Sequence, residues 1–420
     1  MKSKAFKSVT TQAALMAAWR QVYANGKSSR SSRTSDEVDE YALKIDKEIR
    51  RLQRQLRSDK YVFQPAVGKK IPKRNPGDFR PLVIAPIETR IIQRSVLDYL
   101  LANANLKPYA STPYSFGGVK KRDDESLAAV PAAIRAALDA KAEGMEFVRC
   151  ADIQSFFTRI RKSTVKKIVS DAVPDPDFLA LFDECIKVEL SNLSELGVGA
   201  NRFPREDLGV AQGSSLSPLM GNILLYDFDR TMNEGACRCI RYIDDILILG
   251  PSEKEVSRTF RYAKKYLDGL GMDFSKEKSS FGVQNFKDGF VFLGIEMING
   301  LIRPDGQSVG KFKEKIHSIV SDSSKQMLGS EEKFKPEFAL VPTMLRISGT
   351  VHGWGKHYRF CNDSNIFVNL DTHVDNEVRK LIGAYTDARS RAVISGRRLL
   401  GVSSLRDLPT EPFQWPKVSH

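Results

Sequence analysis

The chain has 420 residues, of which 41% are hydrophobic and 28% charged, proportions that exclude a wholly disordered or fibrous protein. Its Lys and Arg exceed its Asp and Glu by 65 to 51, and this net charge of +14 favours a polyanionic partner such as nucleic acid, the alternative being a merely solubilising charge. No apolar run reaches the roughly 18 residues of a membrane span, so we expect a soluble, cytoplasmic protein without a membrane partner.

The first 60 residues are predicted to be helical. Residues 26–35 are polar and basic, and they are interpreted as a loop that is either a flexible linker or an RNA contact. A single helix is expected after it, beginning near Ser35. Its apolar residues recur at helical spacing on one face: Val38, Tyr41, Ile45, Ile49 and Leu52.

Residues 69–93 contain two short apolar runs around a Pro/Gly/Asn/Asp turn, which predicts strand, turn and strand, followed by a helix. A mixed α/β block is expected over residues 146–297. The remainder is predicted to be mostly helical to about residue 400, with a polar break at 321–332.

Three segments carry the chemistry, and the first is a predicted buried strand over residues 146–153. Asp152 lies near its carboxyl end, where a carboxylate is costly to bury unless it binds something. Phe156 and Phe157 follow at the turn into a helix. An ordinary strand end is the alternative interpretation.

The second segment is a glycine-containing loop over residues 209–215, in which Gln212 and Gly213 bring the backbone close to any passing ligand. Ser217 is predicted to cap the next helix, with Pro218 at its first position. The alternative is a capped core helix without a binding role.

The third segment has two β-branched runs, residues 237–242 and 246–249, that predict a β-hairpin with Asp244 and Asp245 at its tip. Two adjacent carboxylates between apolar strands are costly unless a cation neutralises them. An exposed turn is the alternative, because Asp is common in turns.

Together the three segments suit phosphoryl transfer by two metal ions, which needs carboxylates from separate elements around two ions about 3.5–4 Å apart. Mg²⁺ prefers oxygen ligands, and the aspartates supply them without any His/Cys set. We therefore expect two Mg²⁺ ions, with Mn²⁺ as a substitute.

In their order and spacing these segments resemble the palm of reverse transcriptases. Upstream, IPKRNPGDFRPLVIAPIETRIIQ (residues 71–93) resembles the fingers of bacterial group II intron and retron-type enzymes. Downstream, FLGIE (292–296) and ISGTVHGWGKHY (347–358) resemble the approach to the thumb and the thumb itself.

The resemblance implies an α+β, right-hand polymerase fold with fingers, a palm built on an antiparallel sheet, and a helical thumb. The implied domains are an N-terminal helical extension (1–60), fingers and palm (61–300), thumb (301–400) and a C-terminal tail (401–420). The implied activity is RNA-directed DNA synthesis by nucleotidyl transfer.

The resemblance also implies roles for the residues that stand at the family's motif positions. Asp152 and Asp244 would bind the metals, supported by Asp245 and by the carbonyl group of Ile153. Phe157, next to Phe156, would be the gate against a ribose 2′-hydroxyl. The remaining predicted nucleotide contacts are Lys73 and Arg80 on the triphosphate, Gln212 at the incoming sugar or base pair, and Lys278 as proton donor to pyrophosphate. For the three cations the alternative is a solvated surface charge.

Departures from the family pattern point to its defence-associated (antiphage) branch. Ala211 and Ser215 stand where the family often has proline. That branch implies dNTPs as substrates, a partner noncoding RNA as template and a cDNA product. Two alternatives remain: a template-independent or protein-primed DNA polymerase, and a maturase-type RNA-binding splicing factor.

Overall fold

The protein is described by a computed structural model over residues 2–29, 31–73, 77–119, 127, 129–276, 282–403, 405 and 413–414. The chain divides into two units, Met1–Asn285 and Phe286–His420. Both units combine α-helices with antiparallel sheets, which confirms the α+β class predicted from the sequence. The domain bounds at residues 60, 300 and 400 stay predictions. Within the described residues, no helix combines the length and the apolar character that crossing a membrane requires.

The first unit is built from helices that surround two sheets. Its described helices are α1 (Lys4–Val9), α2 (Gln12–Lys27), α3 (Ser32–Ala42), α4 (Ile45–Arg57), α5 (Ile87–Ala102), α6 (Lys107–Ala110), α7 (Ala129–Ala142), α8 (Phe156–Arg159), α9 (Lys162–Ala172), α10 (Pro176–Ile186), α11 (Ser217–Leu224), α12 (Tyr226–Thr231) and α13 (Glu253–Gly269). Its described strands are β1 (Val67–Pro72), β2 (Phe79–Ile84), β3 (Phe147–Asp152), β4 (Arg238–Tyr242), β5 (Asp245–Gly250) and β6 (Gln284–Asn285).

The N-terminal helices differ from the prediction in two places. The loop predicted over residues 26–35 is wrong, because α2 continues to Lys27 and α3 already begins at Ser32. At Gly26 the two helices come close together: a Cβ there would lie 2.6 Å from Val38 Cγ1, so its absence lets α3 pack closely on α2. The single helix expected after Ser35 is also wrong, since it breaks between α3 and α4 at Leu43, which is 85% exposed.

The central sheet has four antiparallel strands in the order β4-β5-β3-β6. Its middle strand β5 is a run of β-branched and leucine residues, and Ile246 to Leu249 are each 0% exposed. Such a run suits a strand covered on both faces. Helix α13 packs against β3 and β5, and α7 packs against β4. The strand expected over residues 146–153 and the hairpin expected at 237–249 are both confirmed.

A separate two-stranded sheet, the β1–β2 hairpin, pairs Val67 with Ile84 at its base and Pro72 with Phe79 toward its tip. One face packs on the 3₁₀ helix Ser194–Arg202 and on Phe203, where a Cβ on Gly68 would lie 2.8 Å from Leu196 Cδ1. The predicted strand, turn, strand and helix of residues 69–93 are confirmed by β1, β2 and α5.

The second unit contains a three-stranded antiparallel sheet and long helices. Its described elements are β7 (Phe290–Phe292), β8 (Ile295–Ile298), β9 (Leu301–Pro304), α14 (Gly306–Met327), α15 (Leu340–Tyr358), α16 (Ser364–Arg391) and α17 (Gly396–Leu400).

The polar break predicted at residues 321–332 begins too early. Helix α14 runs on to Met327, and the break follows it. The reason is Ser323, which is buried and donates a hydrogen bond from its hydroxyl group to the Phe338 carbonyl oxygen at 2.6 Å. Thr343 in turn donates to Ser323 Oγ at 3.1 Å. Serine here joins helices and does not interrupt one.

Candidate active site

Strand β3 carries Asp152 to one end of the central sheet. The residue is 7% exposed, and its backbone is held on the side of residues 273–275. The Ser275 amide donates to the Asp152 carbonyl oxygen at 2.7 Å, and the Gln154 amide donates to the Asp273 carbonyl oxygen at 2.8 Å. The strand end is therefore fixed by main-chain bonds beyond its own ladder.

On its other side β3 meets the turn between β4 and β5, which we call the aspartate turn (residues 242–245). Asp152 is the register partner of Asp245, and the Ile153 amide donates to the Asp244 carbonyl oxygen at 2.9 Å. The backbone thus brings Asp152, Asp244 and Asp245 together at one end of the sheet. Asp244 and Asp245 are both half-buried.

The negative charge of Asp245 affects its neighbours. Burial, reinforced by Asp245, raises the pKa of the Cys150 thiol to about 12. Burial and then Asp245 also raise the pKa of Tyr242 above its usual value. Cys150 is therefore a protonated thiol at neutral pH.

Oxygen groups at this sheet end suit Mg²⁺. In the described part of the chain, no group of three or more His, Cys, Asp or Glu side chains already forms a closed metal cage. Mg²⁺ does not require one, because it is usually bound by one or two carboxylates together with water and substrate phosphates. Asp152, Asp244 and Asp245, with the Ile153 carbonyl group, fit that kind of site by donor chemistry and by backbone placement.

The loop of Gln212 is tied to the β1–β2 hairpin. The Val83 amide donates to the Gln212 carbonyl oxygen at 2.8 Å. Gly213 has φ +119°, and a Cβ there would lie 2.6 Å from the Val83 carbonyl oxygen, so only glycine permits this approach.

Ser217 is not the helix cap predicted from the sequence. Leu216 occupies the cap position of α11, and Ser217 is the first helical residue. Its hydroxyl group donates instead to the Ala211 carbonyl oxygen at 2.7 Å. Ser217 therefore fastens the start of α11 to the loop before Gln212.

The two phenylalanines after β3 have different environments. Phe156 is 2% exposed and packs on Gly221, where a Cβ would lie 2.7 Å from its ring. Its nucleotide contact stays a prediction that this burial does not support. Phe157 is half-buried, with its ring centroid 5.3 Å from that of Phe156, and its carbonyl oxygen accepts from the Val210 amide at 2.8 Å. It remains the better placed of the two as a gate.

Lys73 and Arg80 lie on the solvent-exposed face of the β1–β2 hairpin. Arg80 pairs with Ile71 in register, and the Lys73 amide donates to the Asp78 carbonyl oxygen at 2.9 Å. Side chains alternate between strand faces, so Lys73 and Arg80 belong to the face that does not pack on Phe203. Both are exposed. Lys278, the other predicted cationic contact, lies outside the described residues.

The Lys73 ammonium group pairs with the Asp78 carboxylate at 2.9 Å. Arg202 also bonds to Asp78, and its guanidinium group lies 4.3 Å from the Phe79 ring centroid. Lys73 first, and then Arg202, hold the pKa of Asp78 at about 2. Asp78 is therefore a carboxylate at every pH at which the protein would work.

Sequence reasoning did not single out the buried ion pair beneath the aspartate turn. Arg241 and Asp229 are 0% and 1% exposed, and two Arg241 nitrogens donate to Asp229 at 2.7 and 2.6 Å. Burial raises the pKa of Asp229, and Arg241 opposes that rise. One signal was available: an arginine inside an apolar strand run requires a buried acidic partner.

Comparison with known proteins matches the part of the chain that holds these elements to a protein family. Residues 71–297 match reverse transcriptase (RNA-dependent DNA polymerase). Protein YkfC of Escherichia coli (strain K12) is 25% identical over 295 residues, which cover 60% of this chain and 71% of YkfC.

Two solved structures are also similar to this chain. A partial Cas6-RT-Cas1–Cas2 complex is 18% identical with a TM-score of 0.37, covering 63% of this chain and 43% of that one. Telomerase from Candida albicans, in complex with a TWJ fragment of telomeric RNA, is 12% identical with a TM-score of 0.40, covering 80% of this chain and 65% of that one. The chain thus spans less than two thirds of the length of these structural relatives.

Proposed function

Because the chain belongs to the reverse transcriptase family and has its right-hand polymerase fold, we propose that it copies a partner noncoding RNA into cDNA in antiphage defence. Residues 71–297 are an RNA-directed DNA polymerase domain, a nucleotidyltransferase. The proposal assigns the chain to the defence-associated branch of group II intron and retron-type enzymes.

The observation that carries the proposal is the meeting of β3 with the aspartate turn. The Asp152–Asp245 register pair and the bond from the Ile153 amide to the Asp244 carbonyl oxygen bring three carboxylates to one sheet end. Carboxylates gathered at one place repel one another, and a cation bound among them removes that cost. This is the donor set that two-metal nucleotidyl transfer uses.

In the proposed reaction, the primer 3′-hydroxyl group loses its proton to solvent water, and its oxygen forms a bond to the α-phosphorus of a dNTP as the bond to the leaving pyrophosphate breaks. Asp152 and Asp244 bind two Mg²⁺ ions, for which Mn²⁺ can substitute, assisted by Asp245 and the Ile153 carbonyl group. Bound there, the ions supply Lewis-acid stabilisation of the attacking and leaving oxygens. Lys73 and Arg80 bind the triphosphate, Gln212 lies against the incoming sugar or base pair, and the Phe157 ring excludes a ribose 2′-hydroxyl.

The partner RNA is supported by the net charge of +14, which suits a phosphate backbone. We expect affinity for RNA to fall steeply as the salt concentration rises, because binding releases counterions from the RNA. The antiphage assignment is supported by departures from the intron pattern at Ala211 and Ser215.

The test is to express the protein from its native locus and sequence the RNA and DNA that co-purify with it. The comparison is a variant carrying Asp244→Ala and Asp245→Ala. A matched control is Asp268→Ala, which removes an exposed carboxylate from α13. We expect the wild type and the control to carry DNA complementary to one enriched RNA, and the double variant to carry that RNA without DNA.

Other outcomes would overturn the proposal in distinct ways. DNA without an RNA complement would identify a template-independent or protein-primed polymerase. The same RNA with no DNA in all three proteins, with or without phage, would identify an RNA-binding splicing factor. For the defence role, we expect phage plating to fall only in cells with the wild type or the control; equal plating with the double variant would refute that role.

A further inference from the structure

The aspartate turn has an unusual backbone. Ile243 has φ +61°, a left-handed conformation that is costly for a β-branched residue. Such a conformation persists only where the surrounding structure holds it. The contacts around Ile243 therefore determine where the next residue, Asp244, is placed.

The buried side chain of Arg241 supplies one of those contacts. Its Nη1 donates to the Ile243 carbonyl oxygen at 3.0 Å, while Nε and Nη2 grip the Asp229 carboxylate. Nη2 also donates to Asn222 Oδ1 at 3.1 Å. The planar guanidinium group thus joins the turn to α11 and α12 through a single buried side chain, which a lysine could not reproduce.

The segment before Gly117 supplies a second contact. This segment forms two backbone hydrogen bonds with Arg241. The Arg241 amide donates to the Tyr114 carbonyl oxygen at 2.8 Å, and the Phe116 amide donates to the Arg241 carbonyl oxygen at 2.9 Å. A Cβ on Gly117 would lie 2.7 Å from the Ile243 amide nitrogen. The turn is therefore enclosed by main chain on one side and by the ion pair on another.

We propose that Arg241 is a positioning residue that holds the Ile243 carbonyl group, and through it the aspartate turn, so that Asp244 stays against the end of β3. The assignment rests on the proposed role of Asp244 in binding metal. A buried ion pair is weak support for stability, since apolar residues of similar volume often replace one without loss. The contact with Ile243 gives this pair a task that apolar residues could not perform.

The decisive variant replaces both members of the pair, Arg241→Met with Asp229→Leu, so that no buried charge is left without its partner. We expect a melting temperature close to that of the wild type, because the apolar replacement conserves most of the volume. We expect kcat to fall about 10- to 100-fold through misplacement of Asp244. KM for dNTP should stay within about twofold, because the β1–β2 hairpin is untouched.

A readout independent of activity is hydrogen exchange at the Ile153 amide, which bonds to the Asp244 carbonyl oxygen in the wild type. Exchange there should accelerate at least about tenfold in the double variant without nucleic acid or metal present. Leu52→Ala, a core change on α4, is the control for general destabilisation and should leave this amide protected. Unchanged exchange together with wild-type kcat in the double variant would overturn the proposal.

If the double variant does not fold, Arg241→Lys gives the answer, because it retains the charge opposite Asp229 but not the full set of bonds. The same loss of kcat and faster Ile153 exchange are expected, and wild-type values for both would refute the proposal. If neither variant folds, hydrogen exchange is measured at the Ile153 amide of the wild type. Exchange there through local opening, and not only through global unfolding, would show that the aspartate turn is not held in place and would overturn the proposal. A failure of the proposed function is distinguishable whatever the exchange data show, because either the wild type would then make no DNA on an RNA template or Asp244→Ala would retain DNA synthesis.

Discussion

The aspartate turn and the β1–β2 hairpin both present charged side chains at the connection between two strands, but they hold those charges differently. Beneath the turn, the fully buried Arg241 bonds to Asp229, Asn222 and Ile243. At the hairpin, the cations Lys73 and Arg80 are exposed. The difference fits their proposed partners: metal ligands gain from a fixed position, whereas groups that meet a new nucleotide in each cycle must be able to move.

The largest expected effect comes from the buried side of this comparison. Asp152→Asn keeps the shape of the side chain but removes its charge, and we expect DNA synthesis to fall on the order of a thousandfold. The measurement is primer extension on an RNA template at saturating dNTP. Asp268→Asn is the matched control and should act as the wild type. Retention of a tenth of the activity by Asp152→Asn would contradict a metal-binding role.

The next effect tests whether the turn must be enclosed. Gly117→Ala places a Cβ 2.7 Å from the Ile243 nitrogen and 2.5 Å from its Cγ1, so the turn or the segment must shift. We expect kcat to fall about 10- to 100-fold. Steady-state kinetics and a thermal melt separate this loss from unfolding.

Gly235→Ala is the control for that change, because a Cβ at Gly235 meets no atom within 4 Å. Normal kinetics for both variants would mean that the aspartate turn tolerates displacement, and the contrast with the hairpin would be lost.

A smaller effect is expected on the exposed side. Arg80→Ala should raise KM for dNTP about tenfold, since a charge-assisted hydrogen bond contributes about 1.5–3 kcal/mol, and should change kcat little. Lys73→Ala should act in the same direction. Lys254→Ala on α13 removes an exposed cation elsewhere and is the control. A loss confined to kcat would place Arg80 among the fixed groups.

The smallest effect concerns Asp78, which pairs with Lys73 and Arg202. Asp78→Asn should lower KM for dNTP about two- to fivefold, because it removes a surface ion pair that competes with the triphosphate for Lys73. The Asp78 pKa is about 2 in the folded protein, so the ratio of variant to wild-type KM should be constant from pH 5 to pH 9.

The same pKa fixes the sign of the effect of Asp78 on stability. A carboxyl group with a lowered folded-state pKa stabilises the fold above its unfolded-state value, about 3.8. That contribution is lost as the pH falls toward 2. A melting temperature less sensitive to pH between 5 and 2 in Asp78→Asn than in the wild type is expected; equal sensitivity would contradict the assignment.

The sequence was sufficient for features that depend on local pattern. Two β-branched runs on either side of Asp244 and Asp245, and an apolar strand ending at Asp152, predicted the elements that meet at the site. The hairpin at residues 67–84 followed from its turn residues. In each case the signal lies within a few positions of the residue it describes.

Features that depend on distant partners were not predictable in this way. Ser217 looks like a helix cap, but its hydroxyl group donates its hydrogen bond to the Ala211 carbonyl oxygen. The role of Arg241 requires Asp229, Asn222 and Ile243 to meet from separate elements. Likewise the close packing of α3 on α2 depends on Val38 meeting Gly26. Tertiary contacts overrule local propensity at all three places.

The bond between the Val83 amide and the Gln212 carbonyl oxygen has a mechanical consequence. Strand β2 is anchored at that bond, and Arg80 lies three residues farther along the same strand. At about 3.3 Å per residue, the arm between the anchor and the Arg80 backbone is about 10 Å long. In the proposed reaction, a tilt of this arm that brings Arg80 toward a triphosphate would also displace the loop of Gln212. With the roles proposed for Arg80 and Gln212, binding of the triphosphate and contact with the incoming sugar would then occur together and not in sequence.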